Sequence, residues 1–426
     1  MARLPIRACL VAGLAVGLIC PLLAADRHEW LLEFELGYAS PASELGPWTE
    51  GQLGKLRFGT EAKLGASRIL FDYQNRLRPT LWANITLDYV DDASSGIDIT
   101  EAFIEWRPVP NSELVQHWRF GALYPKFSLE NGERGWSSPF TTSFSAINSW
   151  LGEEIRPLGA EWNLARRVGG RGSPQALGAF AGVFYGNDPA GTLLFWRGFA
   201  LHDRQTRLSD RLERPPTPIF GADGVSDYRS ATLKPFAETD HRPGYYAGLD
   251  WRYATRALMR IGVYDNNADP ASFSDGQWGW RTKFQHAAAQ FSLPAGVGLV
   301  LQWLDGETYW FIRTTTEGTL TPLSSLVKDE FEARFALLTK LFRNRHRLSL
   351  RYDRFDMSRN PDLNIDSGHA WTLAYRFDTA QRIAWSLEWL SIASSRDLWT
   401  TFYGLPSSAR ERQLRMQMNL RLGTRR

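Results

Sequence analysis

Residues 413–422, close to the carboxyl end of the chain, read QLRMQMNLRL and alternate strictly between polar and apolar side chains. Successive side chains on a β-strand point to opposite faces, so this stretch predicts a strand with one apolar and one polar face. The apolar positions are Leu414, Met416, Met418, Leu420 and Leu422. The same period of two recurs along most of the chain, whereas helical periodicity is scarce, and the sequence therefore predicts an all-β protein.

Two architectures are compatible with this alternation, a soluble sandwich and a membrane barrel. Three features favour the barrel. Trp and Tyr lie near the ends of the apolar faces, Arg recurs on the polar faces, and short connections alternate with long ones. These are the features of outer-membrane barrels, which have aromatic girdles, short periplasmic turns and long external loops.

The fold class that we predict is a closed antiparallel transmembrane β-barrel of 16 strands. Backbone groups in lipid must all be paired, so the sheet has to close on itself. Before residue 244 the candidate strands are 30–38, 53–64, 80–89, 98–107, 117–124, 158–165 and 177–186. Nine more follow, with long connections expected at 266–276, 306–329, 356–368 and 391–409. A strand at 193–201, with one more partner, would give 18 strands as the alternative.

The first 25 residues have the pattern of a secretory signal peptide. Arg3 and Arg7 precede an apolar run that ends with small residues, and this run is shorter than the ~20 residues that span a membrane. We expect cleavage of residues 1–25, which leaves 26–426 as a single barrel domain for export.

Both cysteines of the chain, Cys9 and Cys20, lie in this leader. The mature chain would then have no thiol for a disulfide, a zinc site or a nucleophile. Seven of the 49 basic residues are Lys and the rest are Arg, and the formal net charge is only +3. A nearly neutral chain is not expected to bind nucleic acid through bulk charge attraction.

A local resemblance covers two stretches, ANITLDYVDDASSGIDITEAFIEWRP at 83–108 and WRFGALYPKFSLEN at 118–131. They resemble the phosphate-selective porin O and P family. The resemblance implies a trimeric porin of sixteen strands, whose third loop folds inward and whose arginine ladder and lysine cluster guide anions. The inward loop would be about 124–157, with Lys126, Glu130 and Arg134 as its charged constriction residues. The lysine cluster has no obvious counterpart in this chain.

Basic residues dominate the polar faces of the later strands. The predicted pore-lining residues are Arg252, Arg260, Arg281, Lys283, Arg334, Arg351, Arg376, Arg382 and Arg415. The earlier strands lean acidic, so opposed walls would create a transverse field that favours anions. For each arginine the alternative is that it is solvated or paired with a neighbouring carboxylate.

These patterns predict a porin for passive diffusion of small hydrophilic solutes with weak anion preference, including phosphate-like anions. The alternative is a non-conducting structural or adhesive barrel whose mouth is blocked by the inward loop and by a long external loop at 187–243. We expect outer-membrane lipid, lipopolysaccharide and a homotrimer as partners. No catalytic or nucleotide-binding motif is present, so we expect no enzyme activity, no cofactor and no metal site.

Overall fold

Sixteen antiparallel strands pair in sequence order in the computed structural model, and the last strand pairs with the first. The strands are β1 (His28–Ala39), β2 (Lys63–Arg78), β3 (Leu81–Val90), β4 (Gly96–Trp106), β5 (Leu114–Ala122), β6 (Leu158–Arg167), β7 (Gln175–Tyr185), β8 (Gly244–Tyr253), β9 (Ala257–Asp265), β10 (Arg281–Leu293), β11 (Val297–Thr316), β12 (Thr319–Phe342), β13 (His346–Arg359), β14 (Leu363–Ala380), β15 (Ile383–Ser395) and β16 (Ser408–Gly423). The predicted closed barrel of sixteen strands is confirmed.

The structure describes residues 28–42, 45–91, 96–110, 113–170, 172–215, 232–316, 319–359, 363–380 and 382–424, without the side chains of 312–326 and 380. The predicted signal peptide, 1–25, lies outside these residues. None of the described helices is long and apolar enough to cross a membrane.

The stretch at 413–422 forms most of β16 and closes the barrel against β1. Leu420 lies opposite Phe34, and Arg421 lies opposite Glu33. Directly opposed residues share a face of the sheet, so the apolar pair faces out and the charged pair faces the lumen.

Short turns and long connections lie at opposite ends of the barrel, as expected. The turns at 254–256, 294–296 and 343–345 are short, and we call their end the turn end. The other end, the loop end, carries the long connections at 123–157 and 186–243.

Two of the predicted loops are strands. β11 and β12 are 20 and 24 residues long, so most of the predicted loop at 306–329 belongs to one extended hairpin. β13 and β14 likewise cover most of 356–368. The stretch 308–311 reads TYWF, and aromatic and β-branched residues favour an extended, paired backbone.

Two predicted strands are absent from the barrel. Within 53–64, only the last two residues belong to β2, and the preceding residues Lys55, Leu56, Arg57 and Phe58 are all buried inside the barrel. Their alternation resembles a strand, but both faces are covered. Residues in 193–201 form part of a helix instead of a strand, which favours sixteen strands over eighteen.

The described part of the chain has three α-helices between its strands, α1 (Ala146–Glu154), α2 (Thr192–Arg197) and α3 (Asp397–Tyr403). α1 begins after Ser145, whose side chain accepts a hydrogen bond from the backbone of Asn148. This is a usual N-cap, because it satisfies one of the unpaired N–H groups of the first turn. α1 and α2 both lie in connections that fold into the lumen, and they position most of the site described next.

Candidate functional site

Contacts with α1 identify the inner face of the barrel. Trp150 lies in the lumen, with its ring centroid 5.5 Å from that of Phe284 and 5.3 Å from that of Phe331. Because the side-chain period of a strand is two, every residue an even number of positions from these two on β10 and β12 also faces the lumen. Residues at odd distances face outward.

This rule places three of the predicted pore-lining residues on the outside, so their prediction was wrong. Arg281 and Lys283 are at odd distances from Phe284, and Arg334 is at an odd distance from Phe331. Arg281 pairs with Asp265 at 3.0 Å, and Lys283 pairs with Glu307 at 2.8 Å. β10 and β12 carry charged residues on the outer face toward the loop end, so charge does not mark the lumen there.

Three other predicted residues, Arg260, Arg351 and Arg415, do face the lumen, but they are buried and paired. Arg260 Nε lies 2.7 Å from Asp250, and Arg415 lies 2.7 Å from Asp203. These guanidinium groups hold inward-folded segments against the wall instead of meeting free solvent. The remaining predicted residues are Arg252, which faces the lumen and is exposed, Arg376, which faces the lumen and is half-buried, and Arg382, which lies in an exposed turn.

Three segments fold into the lumen from the loop end. We name them segment A (residues 45–62), segment B (residues 123–157) and segment C (residues 186–210). Most of their side chains in the middle of each segment are buried. They fill much of the loop-end half of the barrel and leave a polar lumen at the turn end.

Segment B is held by Arg351, whose side chain is completely buried. Its Nη1 donates to Glu130 Oε1 at 2.6 Å and to the carbonyl oxygen of Ser143 at 2.7 Å, and its Nε donates to Asp353 Oδ2 at 2.8 Å. A planar guanidinium with five N–H donors suits this arrangement, which a lysine could not reproduce. Glu130 therefore joins the loop to the wall.

The backbone of segment B is also bound by carboxylates from the wall. Glu388 on β15 accepts hydrogen bonds from the N–H groups of Thr142, at 2.7 Å, and Ser143, at 3.0 Å. Asp353 accepts from the N–H of Ala146 at 3.1 Å, at the beginning of α1. Negative charge at a helix N-terminus is favourable, so these contacts fix where segment B turns into its helix.

The other two predicted constriction residues lie nearer solvent. Lys126 Nζ lies 3.1 Å from Asp250 Oδ2 on β8, and Arg134 forms an ion pair with Asp72 on β2. Lys126 and Arg134 thus contact carboxylates of the wall, whereas Glu130 contacts the guanidinium of Arg351 on the wall.

Segment C is joined to segment B by adjacent glutamates at the end of α1. Glu154 accepts from the N–H groups of Leu193, at 3.0 Å, and Gly191, at 3.2 Å, where α2 begins. Glu153 forms ion pairs with Arg197 and, at 3.0 Å, with His202 if that ring is protonated. Two segments that are distant in the sequence are therefore one packed unit.

Segment A is joined to the packed unit of segments B and C, and to the wall, by buried ion pairs. Lys55 Nζ lies 2.7 Å from Asp366 Oδ1 on β14 and donates at 2.8 Å to the carbonyl oxygen of Phe199. Asp366 also accepts from the N–H of Phe199 at 2.9 Å. The close approach requires a glycine before Phe199, because a Cβ on Gly198, whose φ is +80°, would lie 2.3 Å from Asp366 Cγ.

The buried charges of these segments have shifted pKa values. Burial raises the pKa of the Glu154 carboxyl to about 7. Burial also opposes ionisation of Asp203, but Arg415 and Arg57 outweigh it and hold the pKa of Asp203 well below its usual range. Burial lowers the pKa of Lys55 despite the neighbouring Asp366.

Two cavities lie on either side of the packed segments. At the loop end, about 400 Å³ is lined by Trp48, Asp98, Arg204, Arg207 and Asp210, among others. Toward the turn end, a narrow cleft of about 40 Å³ separates residues 137–144 of segment B from the wall. Its charged lining residues are Glu33, Glu35, Arg68, Asp203, Arg376 and Arg421.

The anchoring residues of segments A and C were not identified from the sequence. The signal was present in residues 193–207, which read LLFWRGFALHDRQTR, an apolar run followed by charges. Such a run is unusual for a solvated external loop, because large apolar side chains need a covered surface. Its acidic partner on the wall, Asp366, lies on a strand far away in the sequence.

One group of carboxylates could hold a metal ion. Asp188, Glu238 and Asp240 have oxygen atoms within 4.8 Å of one another. Burial raises the pKa of Asp188 to about 7, so a shared proton is an alternative to a cation at this position.

The fold is similar to solved outer-membrane proteins at low sequence identity. The outer membrane channel DcaP of Acinetobacter baumannii is 11% identical, with a TM-score of 0.51 over 93% of this chain and 96% of that one. The trimer form of OmpT of Vibrio cholerae is 8% identical, with a TM-score of 0.50 over 93% and 99%. OmpF of Salmonella typhi, in complex with daunomycin, is 8% identical, with a TM-score of 0.50 over 93% and 97%.

No protein family matches the sequence, and no curated protein matches it either. The resemblance to the phosphate-selective porins therefore remains a local one. The chain has the fold of porin-like outer-membrane barrels.

Proposed function

We propose that the protein is an outer-membrane porin through which small hydrophilic solutes diffuse passively, past a constriction formed by segments A, B and C. The observation that carries the proposal is the cleft between residues 137–144 and the wall, which is lined by ionisable side chains such as Glu33, Arg376 and Arg421. A lining of this kind suits water and hydrated ions, because polar groups replace lost hydration. The proposal includes no enzymatic step.

We further propose a weak preference for anions, with phosphate-like anions in the accepted class. At the turn end the lumen wall carries Arg252, exposed, and Arg347, half-buried. Among the described residues, neither lies within 4.0 Å of a carboxylate. Guanidinium groups bind phosphate and carboxylate with paired N–H donors. The buried arginines Arg260, Arg351 and Arg415 are neutralised by their partners and add little to this preference.

The location that we propose is the bacterial outer membrane, with the turn end in the periplasm. Exposed apolar side chains form a belt around the barrel, for instance Leu249, Leu301, Leu350, Leu387 and Met416. Such an area of apolar surface suits acyl chains. A homotrimer is the assembly that we propose, on the support of the trimer form of the similar OmpT.

A second function is favoured by the tight anchoring of the segments. Arg351, Lys55 and Asp366 are completely buried. If these contacts never open and the cleft is too narrow for solutes, the barrel would be a non-conducting structural or adhesive surface protein.

Ion selectivity in planar bilayers tests the proposal. In a salt gradient, the wild-type protein should give a reversal potential of the sign expected for anions. Arg252→Gln with Arg347→Gln should move it toward the cation side, because the two lumen charges that carry the proposed preference are removed. Arg334→Gln is the matched control, since this arginine faces outward. Strong cation selectivity of the wild type, or an equal shift in the control, would overturn the anionic part.

A further inference from the structure

Basic side chains collect on one part of the outer surface, just beyond the apolar belt. On β12, β13, β14 and β16 the last apolar outward positions are Ala336, Tyr352, Trp371 and Leu414. The next outward position toward the loop end is basic on each of these four strands. These basic residues are Arg334, Arg354, His369 and Arg412, and Arg410 follows on β16.

Three of the basic residues, Arg334, Arg354 and His369, adjoin one another across the strands, whereas β15, with Ala393 opposite both His369 and Arg410, lies between them and β16. Arg334 lies directly opposite Arg354, and Arg354 lies directly opposite His369. Directly opposed Cβ atoms in antiparallel strands are about 5 Å apart, and like charges there are unfavourable. The arrangement therefore needs a counter-charge, and Glu332 and Asp356, the next outward residues on β12 and β13, supply part of it.

That counter-charge is only partly supplied by the protein. Arg334 has Glu332 at 3.5 Å. Arg354, Arg410 and Arg412 are exposed, and within the described part of the chain none of the three has a carboxylate within 4.0 Å.

The pattern does not extend to β9, β10 and β11. On β9, β10 and β11, the first polar outward residues beyond the belt are Asp265, Gln285 and Asp305, and none is basic. Further toward the loop end, Lys283 and Lys328 do face outward, but both bind Glu307, at 2.8 and 2.6 Å. If this rim of the barrel were simply solvated, we would not expect exposed cations without a close carboxylate on one group of strands and paired cations on another.

Aromatic rings lie directly beneath the basic residues. The rings of Tyr352 and Trp371 are 4.7 Å apart and lie at the edge of the apolar belt. Such rings occupy the boundary between acyl chains and headgroups. The basic residues are therefore at headgroup depth, where anionic phosphates attract arginine.

We propose that Arg354, His369, Arg410 and Arg412 form a docking surface for the phosphorylated headgroup of lipopolysaccharide, with its acyl chains on the belt below. The arginines supply paired donors for phosphate oxygens, and the belt supplies the apolar contact. The proposal rests on the outer-membrane location given above. It adds the residues that bind the lipid.

Binding of lipid A to the purified, refolded full chain tests the proposal. The ligands are bisphosphorylated lipid A, a dephosphorylated form with the same acyl chains, and inorganic phosphate. The wild-type protein should bind bisphosphorylated lipid A most tightly and inorganic phosphate least. Equal binding of the two lipid A forms would show that acyl chains alone suffice, and tight binding of inorganic phosphate would show a simple ion site. Either result would overturn the proposal.

The variant Arg354→Gln, His369→Gln, Arg410→Gln, Arg412→Gln should bind bisphosphorylated lipid A on the order of 100-fold more weakly, at about fivefold for each arginine removed. The control is Lys283→Gln with Lys328→Gln, which removes outward cations already paired with Glu307 and should bind nearly as the wild type does. Equal loss in the control would also contradict the proposal. Channel conductance, measured in parallel, should be unchanged in the quadruple variant, so failure of this test and failure of the porin proposal are distinguishable.

Discussion

The guanidinium of Arg351 lies 2.6 Å from the carboxylate of Glu130, and neither side chain is exposed to solvent. One residue belongs to the barrel wall and the other to segment B. The pair joins the loop to the wall at a point where the loop's backbone is also bound by Glu388. The segments in the lumen are therefore fastened by charge as well as by apolar packing.

Arg351→Gln is expected to destabilise the protein by about 3–5 kcal/mol, because Glu130 and Asp353 would be left buried without their cation. The free energy of unfolding by denaturant measures the effect. Arg334→Gln, an exposed arginine on the adjacent strand, is the control and should change stability by less than about 1 kcal/mol. Similar effects for the two variants would show that the buried pair has no special role.

Gly198→Ala is expected to be more costly than Gly404→Ala. Both glycines have a positive φ. Gly404, with ψ 20°, is in the left-handed region, where alanine is strained by roughly 1–2 kcal/mol, whereas Gly198, with ψ −172°, is in a region that essentially only glycine adopts. Only at Gly198 would the new Cβ collide with Asp366, whereas nothing lies within 4 Å at Gly404. Thermal unfolding of the two variants measures the difference, and equal losses would mean that Asp366 can move aside.

Glu154→Gln should change how stability depends on pH. Burial raises the pKa of Glu154 to about 7, above its value in the unfolded chain, so the folded protein binds a proton more tightly than the unfolded chain does. The contribution of Glu154 to stability is then fully present below pH ~4.5 and is lost as the pH rises to about 7, by at most about 3 kcal/mol.

The difference in unfolding free energy between wild type and Glu154→Gln, measured from pH 4 to 8, isolates this contribution from other groups. The variant should gain relative to the wild type between pH ~4.5 and 7 and remain parallel to it above pH 7. A difference that does not vary with pH would mean that Glu154 titrates normally.

The sequence was sufficient to predict the barrel, its strand number and its two unlike ends. Residues 413–422 show why, because a period of two with apolar residues on one face is a local property. The same rule, followed along β10 from the apolar face at Ala287, Ala289 and Phe291, would have placed Lys283 on the outside. On β12 the alternation does not distinguish the two faces, because the residues on both faces near Arg334 are apolar.

The contents of the lumen could not be predicted in the same way. Lys55 meets Asp366, and Glu130 meets Arg351, across hundreds of residues of chain. Such pairs depend on how a loop returns into the barrel, which periodicity does not encode. The alternation at 55–58 predicts a strand, and this prediction is wrong because the segment is buried inside the lumen, where both of its faces are covered.

Single-channel conductance in planar bilayers tests the central claim most directly, which is that segment B forms the constriction of a conducting pore. The wild-type chain should give discrete, small conductance steps. Deletion of residues 131–150, with folding checked by the heat-dependent gel mobility of barrels, should enlarge those steps severalfold. A wild-type protein that never conducts would contradict the account, as would a folded deletion variant with unchanged conductance.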